Sequence, residues 1–478
     1  MNNRLLFLVS FLFIPLLLTA QDESTICNLG FRLEISKNKS WGFNEPVVTE
    51  VAPGSPAYEA GLRINDIILE VNGHGTYLKP MHTIMSWFDL ADDFYSIGIR
   101  NFQYSFKQLS IDKHCRHKNS ISEIELAPVF FFYSLEDVQE REFVIPVKIT
   151  ENLEADYYYY RTYDFALSEG ETSELDEKIN VIFDRSLEQM GLKRDTKNPD
   201  FIIQTYYSYT NNKNWHQSET PSIEGMTTWR YDLRNSRMVK IPVCDPTISV
   251  KSNEVKYFLE FGFRFYDRNY IEPGKSMLVY ESEVKEQLSG NYSLLDYLEL
   301  NLPLILMKFP NSKHSNYGQY QAKLLRFNYT GIHYDVNDMR TVVAVDADSP
   351  ADKAGVRVGD IIYKVQGHDF NHSVKSITSS YRRFISETMK LRDEKTRYTD
   401  INGFQNAMFW DISNYYEISR FFENKKKFKS GFSYLFGFNQ YVYWNDPSRL
   451  IFIVKRNGTM INIPVVPELK RFEQVKVH

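Results

Sequence analysis

Four short clusters in this chain carry residue types capable of chemistry. Ser36-Lys37-Asn38-Lys39 has the Ser-x-x-Lys spacing in which an amine can serve a hydroxyl nucleophile. His114-Cys115-Arg116-His117 offers imidazole and thiolate donors of the kind zinc takes. Tyr157 to Tyr160 is an aromatic run of a type that stacks on sugars or bases, and Lys425-Lys426-Lys427 is a local cationic patch. None has the companions its chemistry needs. Ser36 falls on a loop between strands with no partner motif. The His-Cys-Arg-His residues are adjacent, so their side chains point in different directions, and the chain has no Cys-x-x-Cys. At strand spacing, two of the four tyrosines face a core and two face solvent. The lysines read as a solvated turn in a chain of net charge −5. There is no Gly-x-Ser-x-Gly elbow, no Ser-Gly-Gly nucleophile loop and no His-Glu-x-x-His. The expectation is a protein that is not an enzyme and holds no metal or cofactor.

The elements around these clusters point to binding instead. The chain has 478 residues, 43% of them hydrophobic, enough for about three domains. Its 32 Tyr and 34 Phe suit strand-rich domains. The negative balance gives no basic field for nucleic acid and no polybasic membrane patch. Arg4, the apolar run Leu5 to Leu18 and the small pair Thr19-Ala20 follow the order of an export leader, with cleavage expected after Ala20. That run is shorter than the ~20 residues of a spanning helix, and no other stretch is long enough, so no integral span is expected in the mature chain. Export permits disulfides. With three cysteines, at least one thiol is unpaired or intermolecular. A Cys27–Cys115 pair and three free thiols both remain open.

A repeat organises the rest. Ser55-Pro56-Ala57, Ala60-Gly61, Asp66-Ile67-Ile68, Val71 and Gly73 recur as Ser349-Pro350-Ala351, Ala354-Gly355, Asp360-Ile361-Ile362, Val365 and Gly367, every pair 294 residues apart. In each copy, serine caps a short helix that starts on proline and stops at glycine. A strand and a glycine turn follow. Upstream lie an alternating strand, Phe31, Leu33 and Ile35, and its counterpart after Thr330-Gly331-Ile332. Val144-Ile145-Pro146-Val147 and Asn462-Ile463-Pro464-Val465 are the expected closing strands, which leaves inserts at about 76–140 and 371–446.

These motifs resemble the PDZ domain in the bacterial form found in envelope proteases. The match rests on Gly-hydrophobic at the loop, Ser-Pro-Ala-x-x-Ala-Gly, Asp-x-Ile and Val-x-Gly. Asn65 stands where that family prefers Gly, and Gln366 where it prefers Asn. The resemblance implies two PDZ-like, partly open β-barrels over 27–150 and 325–468, each with an inserted subdomain, in a multidomain β-rich and α+β chain. It also implies the site residues: Leu29, Gly30, Phe31 and Leu33 in the first copy, Thr330, Gly331, Ile332 and Tyr334 in the second. The glycine loop would hold a peptide carboxylate on backbone N–H groups, and the following strand would pair with the peptide.

Between the copies, 154–311 reads as an α+β domain. A strand is expected over Tyr157 to Phe165, and a helix with Leu175, Ile179, Ile182, Phe183, Leu187 and Met190 on one face is stopped by Gly191. A strand at Phe201, a hairpin through Phe261, Phe263, Phe265 and Met277 to Tyr280, and a closing helix that Pro303 kinks or interrupts complete it. Tyr163-Asp164-Phe165, Leu192, Pro199-Asp200 and Phe309-Pro310 make it similar to the secreted domain of unknown function 4136. The expected protein is an exported, periplasmic or envelope-associated adaptor that binds protein or peptide C-termini. The alternatives are a structural envelope protein with occluded grooves, and a non-catalytic remnant or regulator of an envelope protease. Gly30→Val or Gly331→Val is expected to abolish binding without disturbing the fold.

Overall fold

The computed structural model describes residues 25–477 except 89–92, 114, 131–140, 167–172, 217–225, 273–274, 311–316, 371–372, 395–396, 398, 400–404, 409, 411–413, 424–430 and 437–447. The segment expected to be an export leader and the lysine run at 425–427 therefore lie outside the described residues. Among those described, no helix is long and apolar enough to cross a membrane. The chain divides into two compact units: Leu29–Lys113, Glu140–Ala322 and Gln474–His478 in one; Met1–Asn28, His114–Gln139 and Lys323–Glu473 in the other.

The first unit contains the first repeat copy and the central domain. In the repeat copy, strands Phe31–Ile35, Pro46–Val51, Ile67–Val71, Phe94–Arg100 and Lys107–Asp112 lie side by side in that order. Helix Pro56–Glu59 begins where the Ser55 hydroxyl accepts from the Tyr58 N–H, which satisfies an amide that the first turn leaves unpaired. Val48, Ile68, Ile84, Tyr95, Ile97 and Ile111 form one buried cluster. The closing strands correct the sequence expectation. Phe94–Arg100 pairs with Ile67–Val71, so most of the supposed insert after Thr76 is the module's own helix and last two strands. Val144 to Val147 is not part of this sheet. It breaks at Pro146, which has no N–H to donate. Arg141–Ile145 pairs with Gly318 to Ala322, and Val147–Glu151 joins the central sheet.

That central sheet has six strands in the order Val147–Glu151, Lys275–Leu288, Tyr257–Glu272, Phe201–Asn211, Thr162–Phe165, Lys193–Arg194. Phe261, Phe263 and Phe265 are all buried, and Phe265 lies opposite Tyr280 as the alternation implies. Helix Glu174–Met190 is capped by Ser173 and ended by Gly191 at φ 97°, a left-handed backbone that glycine takes without strain. Two expectations change. Helix Leu294–Leu306 runs on through Pro303. Tyr157–Tyr159 is a 3-10 turn, and only Thr162–Phe165 is strand. The spacing of three in that turn buries Tyr157 and Tyr160 and leaves Tyr159 72% exposed. Tyr158 lies against Arg100 and Arg161, with guanidinium-to-ring distances of 4.5 and 4.8 Å.

The second unit holds the second copy. Ile332–Asp335 runs between Val342–Val345 and Ser120–Ser122. Ile361–Val365, Leu450–Arg456 and Thr459–Val465 form the adjoining sheet, and here the Ile463-Pro464-Val465 signal does mark the last strand. Ser349 caps helix Pro350–Ala354, and Gly355 at φ 85° ends it. Residues 115–130, expected within the first module, belong to this unit instead. Thr25–Cys27 pairs with Cys115–His117, and Cys27 is disulfide-bonded to Cys115. Cys244 is a buried thiol whose pKa is pushed up to about 11, chiefly by that burial.

Candidate peptide-binding grooves

The two glycine loops are built alike. Gly30 has φ 77° and Gly331 φ 87°, a region that side chains with a Cβ avoid. The carbonyl of Gly30 accepts from Ala52 N–H, and that of Gly331 from Asp346 N–H at 2.8 Å. The carbonyls of Leu29 and Thr330 accept from Ala57 and Ala351 at 3.0 and 2.8 Å. The repeated Ser-Pro-Ala thus ties each loop to its short helix. A Cβ on either glycine would fall inside the side chain of Ser55 or Ser349. This corrects the expectation for Gly30→Val and Gly331→Val: with no room for a side chain, substitution must displace the capping serine and disturb the fold.

In the second copy the groove is filled by the chain itself. Ser120–Ser122 adds antiparallel to Ile332–Asp335, with His333 opposite Ser122, Tyr334 opposite Ile121 and Asp335 opposite Ser120. This is strand addition of the kind a bound peptide makes. The next residue, Glu123, sends its carboxylate into the loop. One oxygen accepts from the N–H groups of Thr330 (2.6 Å) and Gly331 (3.0 Å). The other accepts from the hydroxyls of Thr330 and Tyr434, both at 2.6 Å. Tyr434 in turn shares a hydrogen bond with the Tyr334 hydroxyl. Glu123 is only 1% exposed. Burial pushes its carboxyl above the usual carboxylate range, against the pull of the bonds from Thr330, Tyr434 and Gly331. The Tyr334 and Tyr434 hydroxyls are raised well above the ordinary tyrosine range, again by burial first.

The sequence-expected residues Thr330, Gly331, Ile332 and Tyr334 are therefore brought together, but around Glu123 and Ile121 rather than an open cleft. Ile332 and Tyr334 are fully buried. Sequence reasoning missed Glu123 and Tyr434. The one local signal was the pair Ser122 and Glu125, which forms a capping box and starts helix Glu123–Val129. It marks a helix start and says nothing of a groove 207 residues away in sequence.

The first groove is different. Phe31–Ile35 ends its sheet, and among the described residues no strand pairs with its outer edge. Phe31, Leu33 and Ile35 are half-buried, with Arg32 and Glu34 exposed between them. Leu29, Phe31, Leu33, Met85 and Trp87 pack against the module's core while staying partly accessible. Phe31 meets Phe88, just past helix Met81–Ser86, edge-on at 5.4 Å.

Two members of the other clusters are tied into the fold. The Ser36 hydroxyl donates to the Trp41 carbonyl at 2.8 Å. Cys115 is bound in a disulfide and offers no thiolate. Among the described residues, no group of three His, Cys, Asp or Glu is arranged to hold a metal ion.

A glycine loop feeding an edge strand, with a capped short helix behind it, defines a peptide-recognition fold of the PDZ class. The comparisons agree. The PDZ domain family profile matches residues 47–84 and 341–386. A PDZ domain protein from Parabacteroides distasonis, solved by crystallography, is 32% identical with a TM-score of 0.77, over 95% of this chain and 100% of that one. The PDZ domain of HtrA3, crystallised with a phage-derived ligand, FGRWV, aligns over 20% of this chain and 89% of its own at 23% identity and TM-score 0.17. A DUF4136 family protein from Bacteroides thetaiotaomicron aligns over 34% of this chain and 94% of its own at 16% identity and TM-score 0.19. No curated protein matches. The chain belongs to the family of PDZ domain proteins, whose domains are protein-interaction modules.

Proposed function

We propose that this protein is an exported, non-catalytic adaptor of the periplasm or cell envelope. Its first module takes up the carboxyl-terminal tail of a partner protein. The observation that carries this reading is the outer edge of Phe31–Ile35, which ends its sheet beside half-buried apolar side chains and directly follows the Gly30 loop. A partner tail would add as the next strand. Its main-chain hydrogen bonds would supply affinity, its carboxylate would meet the loop amides, and an apolar side chain would lie against Phe31, Leu33 and Met85. The leader sequence and the Cys27–Cys115 disulfide favour an oxidising compartment.

A second reading, in which a PDZ fold serves architecture, is favoured for the second module by the strand Ser120–Ser122 that already occupies its edge. The test is a fluorescence-polarisation screen of the full chain against labelled peptides carrying either a free or an amidated C-terminus. Binding that requires the free carboxylate and is lost in Leu33→Glu supports the adaptor. Binding indifferent to amidation, or no binding by folded protein, would overturn it.

A further inference from the structure

We infer that Ser120–Glu123 is a built-in ligand that holds the second PDZ groove closed, and that Glu123 is the latch. An external peptide carboxylate reaches this groove only when the segment withdraws. This inference goes beyond the proposal for the first module and stands or falls separately.

The segment copies a ligand in two independent respects. Its strand pairs with Ile332–Asp335 in the antiparallel sense, residue for residue. Its side-chain carboxylate then takes four donors, two of them backbone N–H groups of the glycine loop. A carboxylate with four acceptor bonds in a dry site is strongly held, because charge-assisted bonds are about twice as strong as neutral ones. Removing it strands its donors, each a desolvated group without a partner. A structural filler needs only apolar bulk at this position. A charged group placed on the loop amides is what a competitor for a carboxylate must have.

The segment also has a scaffold of its own. Cys115 is tied to Cys27, and Arg116 pairs with Glu125 at 2.8 Å. Ser122 and Glu125 cap the helix that follows, and its Leu126, Ala127 and Phe130 are buried. The Phe130 ring lies 4.9 Å from that of Phe432. The tether keeps the latch near its loop at an effective concentration of order mM. A peptide from outside must outcompete that local supply, so the intact chain shields its second groove from weak ligands. Losing the carboxylate removes the advantage while leaving the scaffold in place.

Hydrogen exchange read by mass spectrometry on the full chain tests this. The probe is a synthetic peptide carrying the sequence of residues 116–122 followed by valine, made as the free acid and as the amide. In the wild type, residues 118–125 are expected to be protected and the peptide to leave 329–336 unchanged. In Glu123→Ala, 118–125 should exchange at least tenfold faster, and the free acid alone should protect 329–336. Glu123→Gln keeps the volume and should give an intermediate rate, which preserves the test if the alanine variant does not fold. Unchanged protection of 118–125 in both variants would overturn the latch. Equal protection by acid and amide, or none by either once 118–125 is released, would overturn the receptor. Any protection at 29–36 reports on the first groove and is scored apart.

Discussion

Two copies of one loop, closed by the same serine and the same backbone bonds, meet opposite fates. At Gly331 the amides are spent on Glu123, and the neighbouring strand is paired on both edges. After Gly30, the strand Phe31–Ile35 is paired on one edge among the described residues, and its apolar face is half-buried. The alternation is identical in kind, but Phe31, Leu33 and Ile35 stay partly accessible whereas Ile332 and Tyr334 are buried. A binding motif in sequence thus fixes the geometry of a groove. What occupies the groove is decided by a segment that the motif does not contain.

The copies differ again at their matched aspartates. Asp66 and Asp360 each accept from a backbone N–H three residues earlier, Arg63 and Arg357. Asp360 is clamped by the Arg456 guanidinium through two bonds of 2.7 Å. Asp66 instead accepts from the Asn101 side-chain amide, at 2.8 Å. Burial pushes Asp66 up to about 6, against the pull of the Asn101 and Arg63 hydrogen bonds and of the Arg63 and Lys107 charges.

Four perturbations would break or sharpen the comparison. The largest effect belongs to the shared feature. Gly30→Val and Gly331→Val should each destabilise the protein by more than about 3 kcal/mol, because the new side chain collides with the capping serine and sits at positive φ. Urea unfolding measures this, and a loss below about 1 kcal/mol in either would show that the loops are not built as described. Next comes the feature found in one copy only. Glu123→Ala should cost about 3 kcal/mol through stranded buried donors, and Glu123→Gln less, since one acceptor oxygen remains. A neutral Glu123→Ala would mean that the loop amides find other partners.

The third perturbation concerns pH. Because the folded pKa of Asp66 lies above its unfolded value, its contribution to stability is complete below about pH 4 and is lost as pH rises through about 6. The shift is worth about 2–3 kcal/mol at 1.36 kcal/mol per unit. Asp66→Asn should gain on the wild type by about that amount between pH 4 and 6.5, as followed by thermal unfolding at a series of pH values. A flat difference would show that Asp66 ionises normally. The smallest effect is expected at the exposed edge, where Arg32 stands 3.6 Å from Glu50 at 64% side-chain exposure. Arg32→Ala should change stability by less than about 0.5 kcal/mol. A larger loss would mean that this edge is covered rather than open.

Much of this fold was legible in the chain. The Ser-Pro-Ala repeat located both short helices. The alternation Phe261, Phe263, Phe265 against Tyr280 identified the central hairpin, because side-chain period and burial agree there. The misreadings have physical causes. Val144-Ile145-Pro146-Val147 copies the real closing strand Ile463-Pro464-Val465 in composition, yet the proline that a strand edge tolerates in one place separates two sheets in the other. Tyr157 to Tyr160 alternates for neither strand nor α-helix, and its turn spacing emerges only from the burial of Tyr157 and Tyr160. The occupancy of the second groove was unreadable, since Glu123 meets Thr330 across 207 residues and no local pattern encodes that contact. A fragment beginning at 325, the boundary expected from sequence, would leave the segment carrying Glu123 behind.

Among the described residues, no strand covers the edge of the first groove, whereas the second is closed by its own chain. Amide hydrogen exchange of the unliganded full chain tests this contrast most directly, comparing Phe31–Ile35 with Ile332–Asp335. The account predicts that amides of the second strand exchange at least about a hundredfold more slowly than those facing outward from the first, as local opening free energies differ between covered and uncovered edges. Equal protection of the two strands would contradict it.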